Sequence, residues 1–317
     1  MSTFRSFLSP LIESFVAYRK SSENWNDSYE RSLLLFDRYC AKHYTHAKVL
    51  SQEMVDSWCK QRDTETNNSC RTRIYAIVNM ILYLRSRDKT NVNPPILPQK
   101  EPRTYIPHAF TNPELANFFN ACDNLPSSPS LRKQLRKITV PVFFRLLYSS
   151  GIRINEARLL RIVNVDLRNG ILDIQYSKGH AQHYIVLHDS MLTLLRWYDN
   201  AVEKIYPNRI YFFPKENGKC HTAKWVQQNF RKLWEKENDS YAVPYDFRHN
   251  YAISNINGWT DEGFGFDAKL LYLSKSMGHS VVESTKYYYS LVPELADVLI
   301  EKTNADFENI VPEVTFR

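Results

Sequence analysis

Glycine is scarce in this chain of 317 residues, which contains eight glycines against 20 tyrosines and 17 phenylalanines. Since glycine supplies the backbone conformations that tight turns need, this composition favours a helix-rich fold over a loop-rich fold or a β-barrel. Long apolar runs are missing too, because none approaches the roughly 20 residues that a membrane-spanning helix requires. The opening residues carry Arg5 and lack the apolar stretch of a signal peptide, so we expect an intracellular protein without a membrane segment.

Paired cysteines are also missing. The five cysteines are odd in number and scattered, and no two form a CxxC pair, which argues against both a disulfide framework and a zinc site. The sequence shows no obvious cluster of carboxylates for divalent ions either. We therefore expect neither a metal nor another cofactor.

Composition and charge set the broad class of protein. Hydrophobic residues make up 43% and charged residues 24% of the chain, which is typical of a globular protein. A chain of this length has room for two domains, each with its own core. The formal net charge is +7, and a basic surface attracts polyanions, of which nucleic acid is the commonest.

The first third of the chain has the pattern of a helical bundle. Apolar residues recur at helical spacing over 26–43 and 71–87, and Ser51 is placed to cap a helix between them. A proline-rich stretch over 93–107 cannot continue a helix and marks a linker. We therefore expect a helical domain over 1–92 and a second domain over 108–317, which opens with a capping box formed by Thr111 and Glu114.

The second domain alternates between helical and extended patterns. Two short strands are predicted over 171–176 and 184–188, with a glycine-containing turn over 177–183 between them. The predicted fold is mainly α with a small β-sheet, in which an N-terminal helical domain precedes an α/β domain. Helical spacing covers the segments 115–122, 140–148, 156–161, 190–197, 222–234 and 293–303.

Four short segments carry candidate catalytic residues. Breaking a phosphodiester without a metal requires a nucleophile, cations that neutralise the phosphate oxygens, and an acid for the leaving oxygen. Arginine suits the second task because its planar fork holds two phosphate oxygens. The segments are 150–156 (SGIRINE), 177–180 (SKGH), 244–252 (PYDFRHNYA) and 277–289 (MGHSVVESTKYYY).

Together these segments resemble the motifs of the tyrosine recombinases, or phage integrase family, in their order and spacing. The resemblance implies that Arg153 and Arg248 bind the scissile phosphate and that Glu156 has a supporting role. It implies that Lys178, in the hairpin turn, protonates the leaving 5′ oxygen. His279 would hydrogen-bond the phosphate or orient the nucleophile.

Spacing selects the nucleophile among three consecutive tyrosines. In the family the nucleophilic tyrosine follows the histidine by nine residues, which here gives Tyr288, with a covalent 3′-phosphotyrosyl intermediate. Ser280 and Glu283 form a capping box, so we expect a helix that starts just after His279 and holds this spacing. Successive side chains on a helix point about 100° apart, so the two neighbouring tyrosines are expected to pack rather than react.

One position departs from the family pattern. Tyr245 stands where a histidine is usual. A phenol can donate a hydrogen bond to a phosphate oxygen, but with a pKa of about 10 it does not shuttle protons as an imidazole does. We interpret Tyr245 as a variant that the family tolerates. Tyr245 also favours an alternative, in which the protein binds DNA as a member of the family but has little or no catalytic activity.

The resemblance also implies an assembly. A helical, SAM-like core-binding domain and a catalytic domain would hold double-stranded DNA from opposite sides, in the compact form without a further arm-binding domain. We expect a homotetramer on two DNA sites and a monomer or dimer in isolation. The helix over 293–303 would dock on a neighbouring protomer or pack on its own domain. Such an enzyme would work in the cytoplasm on the nucleoid, with accessory proteins that the sequence does not identify.

Two other activities fit parts of the pattern. A type IB topoisomerase uses the same chemistry to relax supercoils, but the order of the segments and the spacing of His279 and Tyr288 favour a recombinase. A metal-dependent nuclease is a third alternative, which cleavage in the presence of EDTA would eliminate. The sequence leaves open the DNA target and the biological role among integration, transposition, resolution and inversion.

Overall fold

The computed structural model describes residues 4–22, 25, 27–102, 105–175, 182–258, 266–279 and 282–286. The chain forms two compact units, residues 1–105 and 106–317, and each has its own hydrophobic core. The division falls in the proline-rich stretch, where the described residues between Arg85 and Asn112 form neither helix nor strand.

The first unit is helical in the part that the structure describes. Its helices are α1 (Ser9–Ser21), α2 (Asp27–His43), α3 (Gln52–Cys59) and α4 (Asn67–Arg85). Ser51 caps α3 as predicted, because its side chain accepts a hydrogen bond from the backbone N–H of Met54. The core draws on all four helices and includes Phe15, Phe36, Val55 and Ile77.

The second unit combines helices with a small antiparallel sheet. Its strands β1 (Val165–Asp166), β2 (Ile171–Ile174) and β3 (His183–Val186) pair in that order, with Ile174 opposite His183. A short 3₁₀ helix over Ile162–Asn164 leads into β1. The α-helices are α5 (Asn112–Asp123), α6 (Leu131–Ser150), α7 (Ile154–Leu159), α8 (Asp189–Glu203), α9 (Ala223–Glu237), α10 (Asp246–Asn257), α11 (Phe266–Ser276) and α12 (Glu283–Lys286).

The predicted fold class, mainly α with a small sheet, is confirmed, with corrections to individual elements. His183 was predicted to be the last residue of the hairpin turn, but it is the first residue of β3 and is buried. Helix α6 begins well before the predicted range of 140–148. The sequence pattern did not show this, because the first turns of the helix are rich in cations and Pro141 interrupts the apolar spacing. No helix among the described residues is long and apolar enough to cross a membrane.

Aromatic side chains fill the core between α5, α6, α9 and α10. The buried ring of Phe118 packs against several of them. Contacts between aromatic rings stabilise a core beyond the area that they bury. This cluster holds the helices whose ends carry the candidate catalytic residues. The rings with centroids 4.9–5.8 Å from that of Phe118 are those of Phe119, Phe144, Phe230, Trp234 and Phe247.

The predicted capping box at the start of α5 is present and extends to a second segment. The Glu114 carboxylate accepts a hydrogen bond from the backbone N–H of Thr111 at 2.8 Å, and the Thr111 hydroxyl accepts one from the Glu114 N–H. The same carboxylate accepts from Ser240, which lies between α9 and α10, and contacts His108 Nε2 at 3.1 Å. Burial opposes ionisation of Glu114, but these hydrogen bonds outweigh it and lower its pKa to about 2.

Candidate active site

Arg248 lies in the first turn of α10 and is almost fully buried, with 2% of its surface exposed. Its Nη1 donates to the Gly151 carbonyl at 2.6 Å and its Nη2 donates to the Met277 carbonyl at 2.5 Å. Nη2 also lies 3.1 Å from Nε2 of His279. One guanidinium therefore connects the end of α6, the start of α10 and the segment that follows α11.

Gly151 ends α6 and allows this close approach. Its φ is +61°, a left-handed conformation that side chains with a Cβ rarely adopt. A Cβ at this position would lie 2.4 Å from the Tyr251 ring of α10. Any other residue would therefore be strained at this position and would require the Tyr251 ring or the backbone at residue 151 to shift.

Arg153 directly precedes α7 and pairs with Glu156 in its first turn. The backbone N–H of Arg153 donates to Glu156 Oε2 at 3.0 Å, and its Nη1 donates to Oε1 at 2.6 Å. Its Nη2 donates to the Gly278 carbonyl at 2.8 Å. The side chain of Arg153 retains 18% exposure, whereas that of Glu156 is buried. The structure thus brings the predicted pair together, with the arginine on the solvent side.

Met277 and Gly278 bring the two arginines to one place. Arg248 donates to the carbonyl of the first of these residues and Arg153 to the carbonyl of the second. Each guanidinium carries a positive charge and five N–H donors in a planar fork. Two cations that converge on consecutive residues form an arrangement suited to a doubly contacted anion such as a phosphate.

His279 connects Arg248 to α12. Its Nδ1 lies 2.7 Å from the buried Thr285 hydroxyl, and its Nε2 faces Nη2 of Arg248. Burial, together with the charges of Arg248 and Arg153, lowers the pKa of His279 to about 4. The ring is therefore neutral at pH 7. Because arginine only donates, Nε2 accepts and Nδ1 carries the proton that Thr285 receives.

Tyr245 lies at the position before α10. Its carbonyl accepts a hydrogen bond from the backbone N–H of Arg248 at 3.0 Å. Its side chain is 42% exposed, and its ring packs edge-on against His249 with centroids 5.0 Å apart. The residue that replaces the family histidine is thus next to the arginine cluster and open to solvent.

Two predicted catalytic residues lie outside the described residues. Lys178 belongs to the connection between β2 and β3, and Tyr288 follows the end of α12 by two residues. The predicted helix over 293–303 and the proposed cap Ser280 lie outside them as well. The prediction that a helix starts just after His279 needs correction, because the described helix begins at Glu283.

The sequence motifs did not indicate His183, and they included Thr285 only as a residue between His279 and Tyr288. His183 is buried, and its Nε2 lies 3.9 Å from Glu156 Oε2. Its ring packs on Gly278, whose φ is +60° and whose added Cβ would lie 2.5 Å from two ring atoms. The only signal was its inward place in the alternating pattern of β3, and a buried histidine at such a place is ordinarily a packing residue.

The cysteines are free thiols. Cys40, Cys59, Cys70 and Cys122 are buried, whereas Cys220 is partly exposed. Burial raises the pKa of the Cys40, Cys59 and Cys122 thiols to about 12. Within the described ranges, no group of three or more His, Cys, Asp or Glu side chains is arranged to hold a metal ion.

A basic cleft of about 790 Å³ lies between the first turns of α6 and α9. Neither helix has an acidic residue in its first turn, so the positive ends of both helix dipoles add to the charge of the cleft. Among the described residues that line it, one is a carboxylate, Glu216. The cations that line it are Arg132, Lys133, Arg136, Lys215, Lys224 and Lys232.

Comparison with known proteins decides the family. A model of the phage integrase family matches residues 109–294, which is more than half of the chain. The chain belongs to the phage integrase family. It is a tyrosine recombinase, an enzyme that breaks and rejoins DNA strands in site-specific recombination.

Curated relatives extend this likeness to both units. The tyrosine recombinase XerD of Rickettsia bellii is 24% identical over 306 residues, which cover 90% of this recombinase and 94% of the relative. The putative integrase/recombinase y4rE of Sinorhizobium fredii is 27% identical over 205 residues, and that match spans 63% of this chain and 65% of the relative.

Solved structures share the fold. The Tn1549 transposon integrase in complex with transposon right end DNA superposes with a TM-score of 0.61 at 13% identity, covering 92% of this chain and 98% of that one. The XerH site-specific recombinase bound to difH substrate gives a TM-score of 0.60 at 16% identity, covering 83% and 76%. At such identities the likeness concerns the fold of the recombinase.

Proposed function

We propose that this recombinase cleaves double-stranded DNA with Tyr288 as nucleophile and with Arg153 and Arg248 as ligands of the scissile phosphate. The observation that supports this assignment is the convergence of the two guanidinium groups on the consecutive carbonyls of Met277 and Gly278. Cations placed there would neutralise the charge that develops on the non-bridging oxygens. They would perform the task that metal ions perform in many other nucleases.

The reaction then follows in two reversible steps. The Tyr288 phenol releases its proton to solvent as its oxygen attacks phosphorus, the bond to the 5′ oxygen breaks, and Lys178 protonates that leaving oxygen. The product is a 3′-phosphotyrosyl ester and a free 5′ hydroxyl. Because the ester retains the energy of the broken phosphodiester, a 5′ hydroxyl from a partner strand can attack it and rejoin the DNA without ATP.

His279 acts in this proposal by orientation rather than as a general base. A histidine with a pKa of about 4 is a weak proton acceptor at neutral pH. Its two nitrogens instead connect Arg248 with Thr285, and Thr285 precedes Tyr288 by three residues. The ring would thus couple the position of a phosphate ligand to the segment that carries the nucleophile.

The exposed phenol of Tyr245 would donate a hydrogen bond to the phosphate in place of the usual histidine. Its position immediately before α10 and its openness to solvent support this role. The same residue is the specific feature that favours the second candidate, a DNA-binding relative without turnover. The two differ in whether the chain forms a covalent adduct with DNA.

The basic cleft supports a DNA contact at some distance from the chemistry. Arg132 and Gly151 are 19 residues apart along α6, which at about 1.5 Å per residue corresponds to about 28 Å. The proposed complex places α6 along the duplex, which rises about 3.4 Å per base pair, so that the cleft would meet backbone phosphates about eight base pairs from the scissile one. Six cations against one carboxylate suit such a contact.

Covalent trapping tests the proposed chemistry. A duplex that the wild-type chain enriches from a randomised library would be nicked beside the cleavage point and incubated with protein in EDTA. We expect an adduct from the wild type and none from Tyr288→Phe, because phenylalanine lacks the attacking oxygen. Tyr287→Phe and Tyr289→Phe are the matched controls and should still form it. Binding without an adduct from the wild type would instead support the non-catalytic relative.

We also infer that the recombinase acts as a homotetramer on two DNA sites, with the segment 293–303 docking on a neighbouring protomer. The family likeness supports this assembly. A chain truncated after Leu291 should bind a single site normally but form smaller complexes on two sites. Analytical ultracentrifugation with the enriched duplex measures this, and complexes of unchanged size would show that the segment packs on its own domain.

A further inference from the structure

His183 lies against two groups that hold Arg153 in the part of the chain that the structure describes. The Arg153 guanidinium donates to the Glu156 carboxylate and to the Gly278 carbonyl. Nε2 of His183 lies 3.9 Å from Oε2 of Glu156. The same ring packs so closely on Gly278 that an added Cβ would lie 2.5 Å from its Cε1 and Nδ1 atoms. The two acceptors of the guanidinium therefore share one neighbour.

The sheet fixes the position of this ring. His183 begins β3, where it pairs with Ile174 of β2, and only 7% of its surface is exposed. Helix α11, which leads to Gly278, packs against β3. The side chain therefore lies where the hairpin, the start of α7 and the end of α11 meet. Lys178 lies five residues earlier in the same hairpin connection.

We propose that His183 is a positioning residue, which holds Glu156 and Gly278 so that Arg153 keeps its place beside the scissile phosphate. The proposal rests on the proposed function, because it takes Arg153 as a phosphate ligand. The ring supports the Gly278 backbone, and Nε2 faces the carboxylate that pairs with the arginine. Through the same contacts, the hairpin that carries Lys178 is joined to the arginine cluster.

Removal of the ring should affect chemistry more than DNA binding. His183→Ala leaves a void beneath Gly278, so both acceptors of Arg153 gain freedom. A displacement of about 1 Å in a catalytic group costs about 100-fold in rate, so we expect covalent adduct formation to slow by at least about tenfold. DNA affinity depends on many phosphate contacts and should change by less than about twofold.

Single-turnover trapping at saturating protein, with the dissociation constant measured separately, gives both quantities. Tyr184→Ala is the matched control, since Tyr184 is the next residue of β3 and its side chain is 61% exposed. It should leave rate and affinity unchanged. A wild-type rate for His183→Ala would overturn the proposal, as would a loss of rate that only follows the loss of folded protein.

A second variant tests the contact itself. Gly278→Ala places a Cβ against the His183 ring and should abolish adduct formation. In the double variant with His183→Ala the obstruction is gone, so adduct formation should recover in part above the Gly278→Ala level. If the double variant is no faster than Gly278→Ala alone, the contact is not what couples the two residues. Failure of the proposed function would appear differently, as no adduct from the wild type.

Discussion

At the scale of single residues, the site depends on arginines that are held by backbone carbonyls. Arg248 is buried and directs its donors to Gly151 and Met277, whereas Arg153 is partly exposed. A buried guanidinium is tolerable because carbonyl oxygens and a histidine nitrogen surround it. Sequence motifs predicted both arginines and Glu156 as parts of one candidate site, because residue types at fixed spacing carry that information. They did not indicate His183, whose role comes from contacts between distant segments.

Arg248→Lys should abolish most activity while the chain still folds. A lysine ammonium cannot present two parallel donors to the Gly151 and Met277 carbonyls. We expect adduct formation to fall by at least about 100-fold, as on loss of a donor that stabilises a transition state. Stability should fall by about 1–3 kcal/mol, because a buried carbonyl loses its partner.

Trapping rates and thermal denaturation measure the two effects of this substitution. Arg231→Lys is the control, since the Arg231 side chain lies on α9 in the same unit and is 78% exposed. It should change neither quantity. Wild-type trapping by Arg248→Lys would contradict the assignment of Arg248 as a phosphate ligand.

At the scale of elements, local patterns predicted most of the longer helices and, for two of them, the residue that caps the start. Ser51 and Thr111 marked the starts of α3 and α5 correctly. Helix α1 was not predicted, because few of its positions are buried. Helices α10 and α11 were not predicted as separate elements, and strand β1 has two residues, too few for a periodic signal. Tertiary packing rather than local pattern defines these elements.

Glu114→Gln should weaken the connection between the start of α5 and the segment before α10. The carboxylate accepts hydrogen bonds from Thr111 and Ser240, and an amide cannot replace all of them. We expect a loss of about 1–3 kcal/mol in the free energy of unfolding at pH 7. Glu235→Gln, at an exposed site of α9, should have almost no effect.

The pH dependence of this effect has a defined sign. The pKa of Glu114 is about 2 in the folded chain and about 4.5 as an ordinary carboxyl, so its contribution is complete above pH 4.5. It is lost as the pH falls towards 2, because the unfolded chain then binds the proton first. Chemical denaturation from pH 7 to pH 3 should therefore show a smaller decrease for Glu114→Gln than for the wild type. Equal decreases would contradict the role given to this carboxylate.

At the scale of the whole molecule, the fold brings cations together where the proposed DNA contact lies. The net charge of +7 predicted a polyanion partner, but only the fold shows that the first turns of α6 and α9 form one basic cleft. Its cations come from segments nearly 100 residues apart in the chain, and no local pattern links them.

Removal of three lysines from the cleft should lower the salt dependence of DNA binding. Each cation that no longer neutralises a phosphate reduces the slope of log K against log salt by about 0.9, so Lys133→Gln, Lys224→Gln and Lys232→Gln together should reduce it by up to about 2.7. The reduction should require a duplex that extends beyond about eight base pairs from the cleavage point. Fluorescence anisotropy over a range of salt concentrations measures the slope.

Two comparisons complete this test. Lys204, Lys236 and Lys269 are lysines of the same unit that do not line the cleft, and their joint substitution by glutamine is the matched control. An equal reduction in the control would mean that general charge, and not the cleft, attracts the DNA. A full reduction on a truncated duplex would contradict the proposed distance.

The burial of the cysteines has a practical consequence for observing this recombinase at work. Four of its five thiols are buried, so a maleimide dye offered to the folded chain would find Cys220 as its accessible site. Cys220 directly precedes His221, which lines the basic cleft. The natural sequence thus provides an attachment point for a fluorophore beside the proposed path of the duplex, and the approach of DNA could be followed without engineering a cysteine-free background.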